Sequence, residues 1–212
     1  MSALSRAAIE NRLRNDLTVS PILDKEQLGP SSIDLRMGTV VMIARAGAQS
    51  HVEPSAYQES KDHDSVRERQ QKHERFDIPF GKPFLLHPGS LALVPTLEWV
   101  KLPDDLQGIV TARSSWAREG LNIATATIVN PGYRGIITLE LANLGEIPIT
   151  LLPGLRLAQI AFYELKTDDT NKAMDRGYKG QFKMNFEPVA GNIAKDDDYF
   201  IPIKPKNKTK LI

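Results

Sequence analysis

Two groups of side chains could do chemistry, one suited to binding anions and one to moving protons. The first is the segment ARSSWAREG, which places two hydroxyls among guanidiniums, namely Arg113, Ser114, Ser115 and Arg118. Guanidinium forks and short hydroxyl donors bind phosphate oxygens through charge-assisted hydrogen bonds, and the free N–H groups of a helical turn would add to them. The alternative is an ordinary helix start, capped by serine, with arginines on the surface.

The second group centres on Glu140, in the middle of the predicted strand GIITLELAN. Because side chains alternate along a strand, Glu140 shares a face with Thr138 and points away from the leucine face. In a partly closed cleft, loss of water would raise the pKa of this carboxyl group and let it shuttle protons. On an open antiparallel sheet it would simply face water, and the spacing alone leaves both interpretations open.

The elements that must position these groups are mostly strands. From Phe76 onward, short apolar segments alternate with Gly, Pro, Asn and Asp turns at roughly ten-residue spacing, which is typical of a β-sandwich or barrel. Helices are expected at the N-terminus, in SSWAREG and, as a short solvated piece, over residues 65–76. The sequence therefore predicts a mainly β fold with an N-terminal helix and few other short helices.

The amino-acid composition excludes several classes of function. The chain has 212 residues, 27 Lys and Arg against 26 Asp and Glu, and no Cys. This balance excludes a globally basic nucleic-acid coat, and the absence of thiols excludes disulfides, thiolate nucleophiles and zinc sites built from His and Cys. The start lacks the apolar run of a signal peptide and no later run approaches ~20 residues, so we expect a cytoplasmic protein with neither a nucleic acid nor a membrane as partner.

One domain is expected over residues 1–185, with a polar insert at 46–75 and a C-terminal extension at 186–212. The insert contains His51, His63 and His73, whose spacings of 12 and 10 residues match no helical ligand pair, so solvated loop histidines are expected there. Trp116 is expected to pack in the core or at a subunit contact.

A family resemblance rests on three segments. GPSSIDLRMG, RSSWAREGL and NPGYRGIITLELANLGEIPITLLPGLRLAQIAF resemble the dCTP deaminase and dUTPase superfamily, and look closest to its dCTP deaminase branch. The resemblance runs discontinuously from Gly29 to Gln181 and is strongest between Arg113 and Phe162. It implies a distorted β-barrel or jelly roll of the dUTPase-like type. It also implies a homotrimer with active sites between subunits, acting on a deoxynucleoside triphosphate with Mg²⁺ bound through the triphosphate and no zinc.

The same resemblance assigns roles to individual residues. Glu140 would be the catalytic acid and base, Asn130 would lie beside the sugar, and Tyr133 would pack on the deoxyribose unless it only covers the core. Main-chain groups near Ala126 could hold the water and read the base edge. The other expected substrate-binding residues are Arg113, Ser114, Ser115 and Arg118 on the triphosphate, Thr138 and Leu139 lining the pocket, Gln159 on the nucleotide, and Tyr178 and Gln181 in a closing tail.

Two departures from the family pattern keep alternative activities open. Asn130 stands where the superfamily usually has Asp, and an amide can hydrogen-bond a 3′-hydroxyl but cannot act as a base. The segment LNIATATIVN is one residue shorter than the deaminase pattern and closer to dUTPase spacing. The expected function is dCTP deamination to dUTP and ammonia. The alternatives are a dUTP diphosphatase, a bifunctional enzyme, and a catalytically weak nucleotide-binding regulator.

Overall fold

The computed structural model describes residues 2–44, 73–123, 126–165, 180, 182–189 and 191. These residues hold two α-helices, α1 (Arg6–Asn15) and α2 (Ser114–Arg118), and a 3₁₀ turn at Lys25–Gln27. The strands are β1 (Ser2–Ala3), β2 (Thr18–Ser20), β3 (Ser32–Arg36), β4 (Val40–Ala44), β5 (His73–Asp77), β6 (Phe84–Leu86), β7 (Leu91–Lys101), β8 (Leu106–Ala112), β9 (Leu121–Ile123), β10 (Ile128–Val129), β11 (Arg134–Asn143), β12 (Ile149–Leu151) and β13 (Arg156–Glu164).

These strands form two large sheets and one small one. The first sheet has the order β1-β13-β8-β10 with β3 also paired to β13, and the second has the order β5-β4-β7-β11-β9 with β2 also paired to β7. Strands β12 and β6 pair with each other. The predicted mainly β fold is confirmed, although the pairings within the described part of the chain make separate sheets rather than one closed barrel.

The chain divides into two compact units. The first comprises residues 1–44 and 74–189, and the second comprises 45–73 and 190–212. Almost all of the second unit lies outside the described residues, so the proposed insert and extension stay predictions. No helix among the described residues is long and apolar enough to cross a membrane.

Two local predictions for helices have different outcomes. The predicted N-terminal helix is α1, where Ser5 caps the first turn by accepting a hydrogen bond from the N–H of Ala8 at 3.4 Å. The helix expected over 65–76 is wrong at its end, because residues 73–77 form β5. There Phe76 packs against the core, with its ring centroid 6.2 Å from that of Phe84, and this contact favours a strand.

Strand β11, which carries Glu140, has the two predicted faces. Leu139 and Leu141 are fully buried, whereas Thr138 and Glu140 are half-buried. Next to them β7 contains a bulge, since Ile136 pairs with Trp99 but Thr138 pairs with Pro95. The Thr96 hydroxyl closes this bulge: it accepts a hydrogen bond from the Ile137 N–H at 3.0 Å and donates one to the Glu98 carbonyl at 2.7 Å.

Strand β3 also alternates, with Ile33 and Leu35 in the core and Ser32, Asp34 and Arg36 on the other face. Its last residue joins a buried polar network. The fully buried Glu98 carboxylate accepts hydrogen bonds from the Arg36 N–H at 2.8 Å and from the Gln27 side chain at 2.9 Å. Gln27 also donates to the Asp34 carbonyl at 3.0 Å, so that this network fixes the backbone of β3.

A short C-terminal segment pairs with the edge of β11. The Met184 N–H donates to the Arg134 carbonyl at 2.6 Å, and the Ile136 N–H donates to the Asn185 carbonyl at 3.0 Å. Between them Gly135 is required, because a Cβ there would lie 3.2 Å from the Asn185 carbonyl oxygen and its φ is +149°. A segment that lies far beyond β11 in the sequence thus pairs with the start of β11, next to the Pro-Gly turn that precedes this strand.

Candidate active site

Helix α2 carries the phosphate-binding candidates Ser114, Ser115 and Arg118 on an exposed surface. The N-cap residue, which precedes the helix, is Arg113 and makes no side-chain cap hydrogen bond, so the alternative in which serine caps the helix does not hold. Trp116 turns the other way, packs against the core and donates its indole N–H to the Arg156 carbonyl at 3.0 Å. This inward anchor leaves both serine hydroxyls and Arg118 facing outward.

Arg113 is held in place from two sides. Its N–H donates to the Leu157 carbonyl at 3.0 Å, which ties the end of β8 to β13. Its guanidinium pairs with the Asp34 carboxylate, whose side chain is only 11% exposed. The same carboxylate oxygen lies 3.5 Å from Nη1 of Arg156, so Asp34 serves two arginines.

Gln159 lies one strand away from Asp34 in a polar row across three strands. It is the register partner of Asp34 on β3 and of Thr111 on β8. The Gln159 amide donates to the Thr111 hydroxyl at 3.2 Å and accepts from the Ser32 hydroxyl at 3.4 Å. These two contacts orient the amide with its nitrogen towards β8, close to the strand end that leads into Arg113.

The turn from Asn130 to Tyr133 leads into β11. Its Tyr133 N–H donates to the Asn130 carbonyl at 3.1 Å, and Gly132 takes the φ of +72° that this Pro-Gly turn requires. Asn130 is exposed, whereas Tyr133 is 7% exposed and donates its hydroxyl to the Ile136 carbonyl. The ring therefore lies where the core-covering alternative places it, and stacking on a sugar stays a prediction.

Glu140 is the proton-transfer candidate, and its environment is a partly closed one. Burial raises the pKa of its carboxyl group, while a hydrogen bond from the Ala126 N–H favours the ionised form. Thr138 shares its face, whereas Leu139 lies in the hydrophobic core, so that only main-chain atoms of Leu139 can line a pocket. The desolvated alternative for Glu140 is thus the one that the structure supports.

The structure brings the candidates together in two separate groups. Arg113 and Gln159 lie beside Asp34, while Glu140 shares a face of β11 with Thr138 and accepts a hydrogen bond from the Ala126 N–H. Among the described residues, no hydrogen bond or ion pair joins the two groups. Tyr178 and Gln181 lie outside the described residues, and their roles stay predictions.

Sequence reasoning missed Asp34, Arg156 and Thr111 as members of the first group. The signal for Asp34 was present, since the segment SIDLR alternates and places a carboxylate opposite the apolar face of β3. Nothing in the sequence pattern marks Arg156 or Thr111, because only the pairing of their strands brings them into the group.

A metal-binding alternative finds no support in the donor set. Over residues 2–44, 73–123 and 126–165, no three His, Asp or Glu side chains lie close enough to hold a metal ion. The charged donors gathered around α2 are guanidiniums, which suit phosphate oxygens rather than a cation.

Comparison with known proteins gives one consistent family. A family model described as dCTP deaminase-like matches residues 3–165. A dUMP-forming dCTP deaminase of Dictyoglomus thermophilum is 42% identical over 153 residues, which cover 71% of this chain and 74% of that protein. A dCTP deaminase of Halorubrum lacusprofundi is 39% identical over 200 residues, covering 92% of this chain and 93% of that protein.

A solved structure shows the same fold. The 2′-deoxycytidine 5′-triphosphate deaminase of Agrobacterium tumefaciens superposes with a TM-score of 0.58 at 24% identity. The match covers 77% of this chain and 48% of that one, so the chain described here spans about half the length of that protein.

Proposed function

The chain belongs to the dCTP deaminase-like family, and from this premise we propose that it hydrolyses dCTP to dUTP and ammonia. The reaction replaces the amino group on C4 of cytosine with oxygen from water. It needs one group that accepts and then donates a proton, and one site that holds a triphosphate. The two groups of residues around Glu140 and Arg113 supply these functions.

The observation that carries the proposal is the environment of Glu140. A glutamate on an open sheet ionises at its ordinary pKa, whereas burial raises the pKa of Glu140 and makes its carboxylate a stronger base. The N–H of Ala126 orients the carboxylate through a hydrogen bond. A base with a raised pKa accepts a proton more readily, and its conjugate acid can still return it.

The proton transfers balance as follows. Water adds to C4 while Glu140 takes one of its protons and delivers it to N3 of the ring. Glu140 then takes the proton of the new C4 hydroxyl and gives it to the amino group, which leaves as ammonia as the C4–N bond breaks. The product is dUTP with a proton on N3 and a carbonyl at C4, and the carboxylate ends in its initial ionised state.

Phosphate binding is assigned to Arg113, Ser114, Ser115 and Arg118, because guanidinium and hydroxyl donors gather at α2 on the exposed surface. Mg²⁺ is proposed to enter bound to the triphosphate oxygens, where it offsets part of the phosphate charge. Holding the nucleotide in one pose is the task of the protein side chains. The mechanism needs no zinc, since Glu140 performs both proton transfers.

The active site is proposed to form between subunits of a homotrimer. Support comes from the resemblance, since the superfamily that RSSWAREGL and NPGYRGIITLELAN resemble forms its active sites between subunits. In such an assembly a second copy meets the first around a symmetry axis and can complete its site. Each trimer would then hold three equivalent sites.

Incubation of the purified protein with dCTP and Mg²⁺, followed by ion-exchange separation of nucleotides, tests the proposed activity. We expect dUTP and ammonia in equal amounts. Binding of dCTP without any product would contradict the proposal and favour the catalytically weak regulator. The same experiment with dUTP as substrate separates deamination from phosphate-chain hydrolysis.

A second candidate is a bifunctional enzyme that continues to dUMP and pyrophosphate. It is favoured by the relative from Dictyoglomus thermophilum, which is described as dUMP-forming and is 42% identical. It is opposed by Asn130, whose amide cannot act as a base. Release of pyrophosphate from dUTP would establish this second activity, and its loss in Asn130→Ala would place the turn at the site.

A further inference from the structure

Arg156 and Arg113 share one carboxylate oxygen. Both guanidiniums approach Oδ2 of Asp34, Arg113 through a hydrogen bond and Arg156 with its Nη1 at 3.5 Å. The side chain of Asp34 is 11% exposed, whereas those of Arg113 and Arg156 are 34% and 39% exposed. The carboxylate is thus nearly buried, while both arginine side chains stay partly exposed to solvent.

The charges at this point do not cancel. Asp34 is the one carboxylate with which either arginine pairs among the described residues. The nearby Arg36 is already shared by Asp24 and Glu98. Two guanidiniums on one carboxylate leave a net positive charge, and the mutual repulsion of the two cations is relieved when an anion binds beside them.

Arg156 also has N–H donors that are not used in these contacts. Its Nη1 reaches Asp34 and the Glu26 carbonyl, the latter at 3.4 Å. A guanidinium carries five N–H donors, and within the described part of the chain neither Nε nor Nη2 of Arg156 has an acceptor. This free edge has the fork geometry that binds two oxygens of a phosphate group at once.

The main chain fixes Arg156 to the helix of the phosphate-binding candidates. Its carbonyl accepts the indole N–H of Trp116 at 3.0 Å, and the next carbonyl, that of Leu157, accepts the Arg113 N–H at 3.0 Å. The pairing of β13 with β3 is irregular between Arg156 and Ala158, and such a bulge redirects a side chain. We propose that Arg156 is a second phosphate-binding arginine beside Arg113, which deepens and rests on the proposed function.

Calorimetric titration of the full chain with inorganic tripolyphosphate and with dCTP tests this assignment, with the Arg156→Gln variant and a matched control, Arg14→Gln. Arg14 is exposed on α1. We expect Arg156→Gln to weaken binding of both probes about tenfold or more, as loss of a charge-assisted contact does. Arg156→Lys should recover part of the affinity, since it restores the charge without the fork.

Two results would overturn the assignment. They are unchanged tripolyphosphate binding in Arg156→Gln, and equal weakening of binding in Arg14→Gln. Thermal unfolding shows whether Arg156→Gln is folded, and Arg156→Lys gives the answer if it is not. Tripolyphosphate contains no base, so a wild-type chain that binds it without deaminating dCTP refutes the proposed activity and leaves Arg156 testable.

Discussion

At the scale of single residues, the raised pKa of Glu140 is the feature that supports its proposed role in proton transfer. Burial disfavours the charged form, and the Ala126 N–H partly offsets this effect. Activity that depends on the ionised base should therefore increase with pH until the pH passes the raised pKa of Glu140. A kcat/KM profile for dCTP should have its acidic limb above the ordinary range for a glutamic acid.

Replacement of Glu140 by glutamine keeps the shape of the side chain and removes its proton chemistry. We expect Glu140→Gln to lower kcat by about 100-fold or more, which is the contribution of a positioned general base, while dCTP still binds. Steady-state kinetics and calorimetry measure the two effects. Glu146→Gln, in an exposed loop, is the matched control, and near-normal turnover by Glu140→Gln would remove Glu140 from the mechanism.

The same variant should be more stable than the wild type at neutral pH. The pKa of Glu140 is raised in the folded protein above its ordinary value of 4.5, so the folded state binds the proton more tightly than the unfolded one. Its contribution to stability is complete below pH 4.5 and is lost as the pH rises through the folded-state pKa. The stability of Glu140→Gln relative to wild type, from urea unfolding, should therefore increase from pH 4 to pH 7, and a flat difference would contradict the desolvation.

At the scale of elements, the bulge in β7 sets the position of β11. The Thr96 hydroxyl is buried and accepts the Ile137 N–H, one residue before Thr138 and three before Glu140. Thr96→Val leaves that N–H without a partner, which should cost about 1–3 kcal/mol of unfolding free energy. Because β11 can then shift, we also expect kcat to fall more than KM rises.

Thr150→Val is the control for this change, since Thr150 lies exposed on β12. Denaturant unfolding and kinetics on both variants separate a local from a general effect of losing a threonine hydroxyl. Equal losses in the two variants, or an unchanged kcat in Thr96→Val, would show that the bulge does not position Glu140.

The sequence pattern predicts the direction of a side chain well where that direction depends on a single strand. Alternation in ITLEL is sufficient to place Glu140 opposite the leucines, since it depends only on the pleat. The contact between Asp34 and Arg113 could not be predicted in this way, because 79 residues separate them and only the pairing of β3 and β8 with β13 brings them together. The end of the predicted helix, residues 73–76, was misjudged because the core contact of Phe76 outweighs the local polarity of these residues.

At the scale of the whole molecule, the proposed trimer with sites between subunits makes a testable prediction about mixed assemblies. If each site takes Glu140 from one subunit and Ser114 from the next, then Glu140→Gln and Ser114→Ala are defective in different halves. Trimers formed at random from equal amounts of both would hold about one intact site in four. We therefore expect co-expression to recover roughly a quarter of wild-type activity from two inactive variants.

Light scattering measures the number of subunits, which the expected fraction of intact sites assumes to be three. The activity of each variant expressed alone provides the baseline. Mixed assemblies without activity would place Glu140 and Ser114 of one site in a single chain. A monomeric mass would contradict the trimer itself.

The pairing of Met184 and Asn185 with β11 also bears on how the chain can be shortened. A chain cut after Leu165, where the match to the family ends, would lose the partners of the Arg134 carbonyl and the Ile136 N–H. A bare strand edge of this kind recruits strands from other molecules. The shortened protein should therefore aggregate on expression, even though every strand of both sheets would be present.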